Sequence, residues 1–293
     1  MSDSMATLRR KMNNAGDLHS VVRTMKALAA ANIGQYQQAV GALADYYRTV
    51  ELGLGACFRA SAQIADRPEA VYPASNTINA VVFGSDQGLV GQFNEVVAEF
   101  AGKTLAELPG TAQVWAVGER VQAHLLDAGL AVQTGFAVPN AVNAIAALVG
   151  RIQIETELHQ ATADGASLYV FHNRQHTATL YQPVCLRLLP LDGLWRHQLA
   201  RISWPSPNLP EVMCSGDKTL RALIREYLFI SLYRACAESL SSENASRLAA
   251  MERADTNIEE LLEHLHTSFN QLRQNSIDEE LFDVISGYEA LSK

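Results

Sequence analysis

Residues 8–54 read LRRKMNNAGDLHSVVRTMKALAAANIGQYQQAVGALADYYRTVELGL, and their apolar spacing decides the architecture. Leu8, Met12, Ala15, Leu18, Val22, Met25, Ala29, Ile33, Tyr36, Val40, Leu43, Tyr47, Val50 and Leu54 follow one another by steps of three or four. The mean step is about 3.5, the period that keeps an apolar seam against a partner helix and winds the pair left-handed. No proline interrupts before Pro68. Gly16, Gly34, Gly41 and Gly53 weaken the helix by about 1 kcal/mol each relative to alanine without breaking the pattern. At about 1.5 Å per residue such a helix runs roughly 80 Å, too long for a compact domain.

The other end of the chain behaves in the same way. Lys218 to Tyr288 is free of proline, and Leu248, Met251, Ala254, Ile258, Leu262, Leu265, Phe269 and Leu272 keep helical spacing. Glu259, Glu260, Glu263, Asp278, Glu279, Glu280 and Asp283 make the outer face acidic, the ordinary composition of a solvated helix surface.

Between these helices the pattern changes. Thr77 to Phe83, Gln113 to Val117, Leu130 to Val138 and Ser167 to His172 are short runs of branched and aromatic residues that read as strands. Amphipathic stretches near Glu95–Leu108, Glu119–Ala128 and Asn140–Gln160 separate them. The alternation implies a mainly parallel sheet with right-handed crossovers, to which Thr177–Leu189 and His197–Ser203 add antiparallel strands. The expected fold class is therefore a Rossmann-like α/β domain at residues 72–212, flanked by coiled-coil helices at 1–60 and 218–290. One helix leads into the domain and the other out of it, so the two pair antiparallel. Counting back from the domain puts Met25 and Arg247 at one level, and SIDEELFDVISGYEALSK projects as a single-helix tip.

Composition narrows the function. Hydrophobic residues make up 48% and charged residues 18% of the 293, enough apolar surface for a sizeable core. The net charge of −8 argues against a basic surface for nucleic acid. No stretch reaches the roughly 20 apolar residues of a membrane span, and the opening MSDSMATLRRKMNNAG has no apolar core of a secretion signal. Cys57, Cys185, Cys214 and Cys236 are scattered without a CxxC pair, so they read as buried or idle thiols in a reducing compartment.

Three places could carry chemistry. GSDQGLVGQFN, residues 84–94, follows a strand and precedes a helix, as a phosphate cradle does. It lacks both the GK[ST] ending of a P-loop and the spacing of GxGxxG, which leaves a glycine-dependent turn as the plainer reading. His172 and His176 are expected to flank a turn at the surface. His264 and His266 stand two apart on a helix and do not share a face. No catalytic, cofactor-binding or metal-binding residue is assigned on this basis.

The two ends of the chain resemble the gamma subunit family of F-type ATP synthases. LRRKMNNAGDLHSVVRTMKALAAANI is similar to the family's opening helix, with Arg23, Met25, Lys26 and the alanines 29–31 in their expected order. SENASRLAAMERADTNIEELLEHLHTSFNQLRQNSIDEELFDVISGYEAL resembles the closing signature through Glu243, Asn244, Arg247, Ala250, Met251, Asn257, Asn270, Arg273, Gln274, Ile277, Glu280, Leu281, Ser286 and Gly287. GSDQGLVGQFN looks like the family's aspartate–glycine turn. The chain departs from the pattern at Gln87 (usually arginine), at Val90 (often cysteine), at Asn32, Gly34, Gln35, Gln37 and Gln38 (often basic) and at Asp278 (usually threonine). Those departures point to a divergent branch, of the alternate kind some bacteria carry beside a main enzyme. The short link after Leu189 leaves no room for the dithiol insertion of the chloroplast form.

The resemblance implies a shaft without an active site or cofactor, standing in a ring of three alpha and three beta subunits. Its foot rests with epsilon on the membrane ring of c subunits, so that the chain meets the membrane only through partners. The expected location is the cytoplasmic face of the bacterial plasma membrane. Arg23, Met25, Lys26 and Arg247 are implied to face the lever segment of beta, and Arg273 with Gln274 a beta loop farther along. The plainer readings are seam packing for Met25 and an exposed helix charge for Arg247. Two rival functions remain at this stage: a nucleotide-dependent small-molecule enzyme with helical dimerisation arms, and a self-associating coiled-coil scaffold.

Overall fold

The computed structural model describes residues 4–60, 77–162, 166–176, 181–191, 193–208, 210 and 216–291. Residue contacts divide the chain into two units, Met1–Ala29 with Leu248–Lys293, and Ala30–Arg247. The chain runs α1 (Met5–Ala60), β1 (Thr77–Phe83), α2 (Phe93–Glu107), β2 (Thr111–Val117), α3 (Glu119–Asp127), β3 (Val132–Phe136), α4 (Val142–Thr162), β4 (Ser167–Gln175), β5 (Tyr181–Leu189), α5 (Gly193–Arg201) and α6 (Gly216–Leu291). The two proline-free stretches thus form unbroken helices of 56 and 76 residues.

In the larger unit the five strands are ordered β3-β2-β1-β4-β5. The first four are parallel, and β5 joins β4 antiparallel. Alternate side chains of the central strands go to opposite faces. Val81, Phe83, Trp115, Val117, Leu168 and Val170 pack with Ile145, Val149 and Ile152 of α4 and Leu232, Cys236 and Leu240 of α6. Ile78, Ala80, Val82, Val114, Ala116 and Phe171 pack with Val97, Ala101 and Leu105 of α2 and Val121 and Leu125 of α3. Both faces are covered, which is why β1 is apolar without a break from Ala80 to Phe83.

Two sequence readings are corrected. His197–Ser203 is not a strand, because most of it lies in α5, where Leu199 packs against Val50, Leu54 and Phe58 of α1. Trp195 and Leu199 are four apart, and the Arg59 guanidinium donates to the Ile202 carbonyl at 3.0 Å just beyond the helix. His172 does not flank a turn at the surface. It sits within β4 at 0% exposure and bonds the Glu238 carboxylate at 2.9 Å. His264 and His266 are both exposed, as expected. Cys57 and Cys236 are buried and Cys185 half-buried, burial raising each thiol above its ordinary pKa. Cys214 lies outside the described residues.

Candidate functional site

Burial along α1 follows a strict seven-residue repeat. Leu8, Ala15, Val22, Ala29, Tyr36, Val50 and Cys57 are buried, with half-buried Leu43 in step between them. From Ala15 onward the second seam position falls three before each of these: Met12, His19, Lys26, Ile33, Val40, Tyr47 and Leu54. Two consecutive members of that row are polar. Leu18, which the apolar spacing assigned to the seam, is 53% exposed, and His19 takes its place.

In the unit formed by the chain ends, α6 shows the matching repeat. Leu248, Met251, Asp255, Ile258, Leu262, Leu265, Phe269, Leu272 and Ser276 are its buried and half-buried members at alternating steps of three and four, with half-buried Ala254 beside Asp255. Asp255 stands in the seam and answers the two polar members of α1. Lys26 Nζ donates to its Oδ2 at 3.2 Å, and His19 Nε2 lies 2.9 Å from its Oδ1. The Lys26 hydrogen bond, with the Lys26 and His19 charges behind it, holds the Asp255 carboxyl below its usual range. Val22, Met251 and Ile258 form a small apolar core beside this cluster, with Met25, Ala254 and Leu262 packed on it. Partner numbers rise on α6 as they fall on α1, so the helices are antiparallel here.

The six residues singled out from the sequence divide by exposure. Arg23 is exposed and lines a shallow groove on α1 with Gly16, His19, Ser20, Thr24 and Ala27. Arg273 and Gln274 are exposed on α6. Met25 packs in the seam, and Lys26 is held by Asp255. Arg247 belongs to the other unit, where its side chain is only 12% exposed and pairs with Glu243 at 2.7 Å. It is no exposed helix charge. Desolvation raises the Glu243 carboxyl above its ordinary pKa against the pull of Arg247.

Beyond Ser276, α6 is exposed on every described face. Ile277, Leu281, Phe282, Val284, Ile285 and Tyr288 all stand out from it, from 45% exposed at Ile285 to 75% at Tyr288. Glu279, Glu280 and Asp283 lie among them.

In the α/β unit the 84–94 turn spends its polar groups on packing. Asn94 Oδ1 accepts from Ser85 N at 2.9 Å, and its Nδ2 donates to Ser85 Oγ at 2.8 Å. The Asp86 carboxylate accepts from Glu119 N at 3.0 Å and Val138 N at 2.9 Å, so it stabilises the N-terminus of α3 and pins the end of β3. Gly84 is required here, because a Cβ would overlap Val121 and Asn94. The crevice beyond the β1 and β4 carboxyl ends is where a doubly wound sheet binds ligands. Here Asn173 Nδ2 donates to the Phe93 carbonyl at 2.8 Å, and Ser246 Oγ of α6 donates to the Val90 carbonyl at 2.6 Å. These bonds close the turn against its own fold and favour the structural reading over a phosphate cradle.

A family model described as ATP synthase matches residues 4–291. The ATP synthase gamma chain of Anaeromyxobacter sp. (strain Fw109-5) is 26% identical over 302 residues, covering 98% of this chain and 99% of that one. The gamma chain of Moorella thermoacetica is 26% identical over 290 residues with the same coverage. Among solved structures, the rotor of the Euglena gracilis mitochondrial ATP synthase matches with a TM-score of 0.59 at 19% identity, over 93% of this chain and 98% of that one. The central stalk of the Tetrahymena thermophila mitochondrial enzyme gives 0.59 at 17% identity, over 80% and 99%. At such identities the structures speak for the fold alone.

Proposed function

The chain belongs to the gamma family of F-type ATP synthases and is a central-stalk, rotor subunit; from that premise we infer that it couples ion flow to ATP chemistry mechanically, with no catalytic residue of its own. Its partners are the alpha and beta subunits of a catalytic hexamer around the coiled coil, and epsilon with a ring of c subunits at the α/β domain. A second Euglena gracilis mitochondrial structure with a similar fold, at a TM-score of 0.60 and 17% identity, is described as OSCP, F1 and c-ring. No helix among the described residues is long and apolar enough to cross a membrane. In this reading the chain meets the membrane through its partners, at the cytoplasmic face of a bacterial plasma membrane.

One observation carries this reading: the last turns of α6 expose six large apolar side chains interleaved with acids. Soluble surfaces seldom leave such a stripe uncovered. An enclosing ring of partner subunits covers it. Coupling then requires the shaft to bind the open and closed forms of beta unequally, since a ligand shifts an equilibrium only by its differential affinity. Arg23, Arg273 and Gln274 are the coupling contacts that reach outward, and a guanidinium suits carboxylates of a lever segment. Met25 and Lys26 serve the lever contact from inside, by fixing the helix surface that carries Arg23, and Arg247 keeps its proposed place against the same lever segment.

The test is the number of ions pumped per ATP hydrolysed by the assembled complex carrying Arg273→Ala with Gln274→Ala. Weakened coupling with normal assembly is expected; an unchanged ratio removes these residues from the mechanism. A cross-link from cysteine placed at Arg23 to a beta subunit checks the location independently.

A further inference from the structure

His19, Asp255 and Glu259 converge from two helices. His19 Nε2 lies 2.9 Å from Asp255 Oδ1 and 3.6 Å from Glu259 Oε1. All three ligand atoms fall within 4.8 Å of one another. From this geometry we propose that the three side chains form a binding site for a late first-row divalent metal ion of the zinc class, clasping α1 to α6.

Two atoms at the centre of this cluster face each other without a bond. Nε2 of His19 and Oδ1 of Asp255 are shielded from solvent, and neither has a hydrogen-bond partner, although they approach to 2.9 Å. Their approach lies off the hydrogen-bonding direction. With Nε2 unprotonated the two atoms repel unless positive charge stands between them, and a metal ion supplies that charge from directions that a single proton on Nε2 cannot serve. Donors bound at 2.0–2.2 Å in a tetrahedral site stand about 3.4 Å apart. The observed 2.9 and 3.6 Å bracket that spacing.

The surroundings fit the same role. Asp255 and Glu259 are four apart on α6, hence on one face, and His19 comes from the helix opposite. Lys26 Nζ holds Asp255 Oδ2 at 3.2 Å and leaves Oδ1 turned toward His19, as an outer-sphere group orients a ligand. The groove on α1 lined by Gly16, His19, Ser20 and Arg23 supplies access and room for a water as fourth ligand. Glu259 is exposed and free to swing onto the ion. One imidazole with two carboxylates suits zinc, cobalt or nickel; calcium and magnesium require more oxygen donors. Bound there, the ion ties the helices together in one register within this unit.

The experiment uses the full chain, stripped with a chelator and titrated with Co²⁺ while its visible absorption is recorded, then with Zn²⁺ by calorimetry. One equivalent with micromolar affinity is expected, with a Co²⁺ band of a low-coordinate site. Glu259→Gln should weaken binding about tenfold or more, and His19→Gln should abolish it. His264→Ala and His266→Ala, which alter exposed imidazoles on the same helix, should leave it unchanged. Absence of saturable binding, or equal binding by the parent chain and Glu259→Gln, overturns the proposal. So does loss on His266→Ala equal to that on His19→Gln. Because Glu259 is exposed, its variant keeps the fold, and that arm decides if His19→Gln does not.

Discussion

Lys26 on α1 reaches Asp255 on α6 at 3.2 Å, a charged pair set where a coiled-coil seam is ordinarily apolar. A polar residue in the seam weakens the coil but fixes register, because any slip leaves it unmatched. Lys26→Leu alone should therefore lower the melting temperature of the helical pair, since Asp255 loses the ammonium that donates to it in the seam. Joining Lys26→Leu to Asp255→Leu should recover the melting temperature or raise it, because two leucines restore an apolar seam at these positions. The double variant should also gain alternative pairings. Circular dichroism follows the melt, and disulfide trapping between cysteines placed on the two helices follows the register. A single trapped register in the double variant would show that the pair does not set the alignment.

Asn94 is the central polar anchor of the turn after β1. It is 5% exposed, and both ends of its amide are bound to Ser85. Asn94→Ala leaves the buried Ser85 N–H without its acceptor and takes one donor from the Ser85 hydroxyl, which still donates to the Gln87 carbonyl, at a cost of about 1–3 kcal/mol. The urea midpoint of the isolated chain should fall accordingly. Asn94→Asp keeps an acceptor but loses the donor to Ser85 Oγ, and should fall between the two.

The seam was legible in the sequence as a period, yet the reading slipped where polar residues belong to it. Counting only apolar side chains selected Leu18 and passed over His19, Lys26 and Asp255. The signal was present all the same. Seven-residue steps back from Phe269 through Leu262 land on Asp255, and the row through Met12 and Ile33 lands on His19 and Lys26. The α/β alternation was legible because β1 and β2 are apolar on both faces. His197–Ser203 misled because Trp195, the residue that gives α5 its helical spacing with Leu199, stands just before the chosen segment. The burial of His172 could not be read locally, since its partner Glu238 lies 66 residues away.

The exposed end of α6 separates stability from function. Phe282 and Val284 are 68% and 70% exposed, so Phe282→Ser with Val284→Ser should change the stability of the isolated chain by no more than about 0.5 kcal/mol per site. In the assembled complex the same pair should lower the ions pumped per ATP, because a partner surface loses its apolar counterpart. Chemical denaturation of the chain and ion pumping by membrane vesicles supply the two readouts. A normal pumping ratio would mean that this stripe carries no coupling contact.

Glu238 gives the α/β unit a pH dependence with a definite sign. Burial alone raises its carboxyl, but hydrogen bonds from His172 at 2.9 Å, Arg234 at 2.8 Å and Arg174 at 2.7 Å overcome this and bring it down to about 2. Burial meanwhile pushes the His172 imidazole below its ordinary value of 6.5, against the pull of Glu238. His172 therefore stays neutral, with the proton on Nε2 donated to Glu238. Each group binds protons more readily in the unfolded chain, so acidification costs stability twice. The His172 contribution is complete above about pH 6.5 and is lost as pH falls below that value; the Glu238 contribution is complete above about pH 4.5 and is lost toward pH 2. Glu243 acts in the opposite sense, because its raised pKa favours the folded state on the acid side of its titration. Its gain builds as pH falls through its raised folded pKa and is complete near pH 4.5, so it offsets part of the His172 loss and leaves the Glu238 loss below pH 4.5 unopposed. Urea midpoints measured from pH 8 to pH 4 should thus decline first just below pH 6.5. In His172→Gln, which keeps a donor for Glu238 and removes the titration, that first decline should vanish while a later one near pH 4 remains. An unchanged profile in His172→Gln would assign the acid sensitivity to other groups.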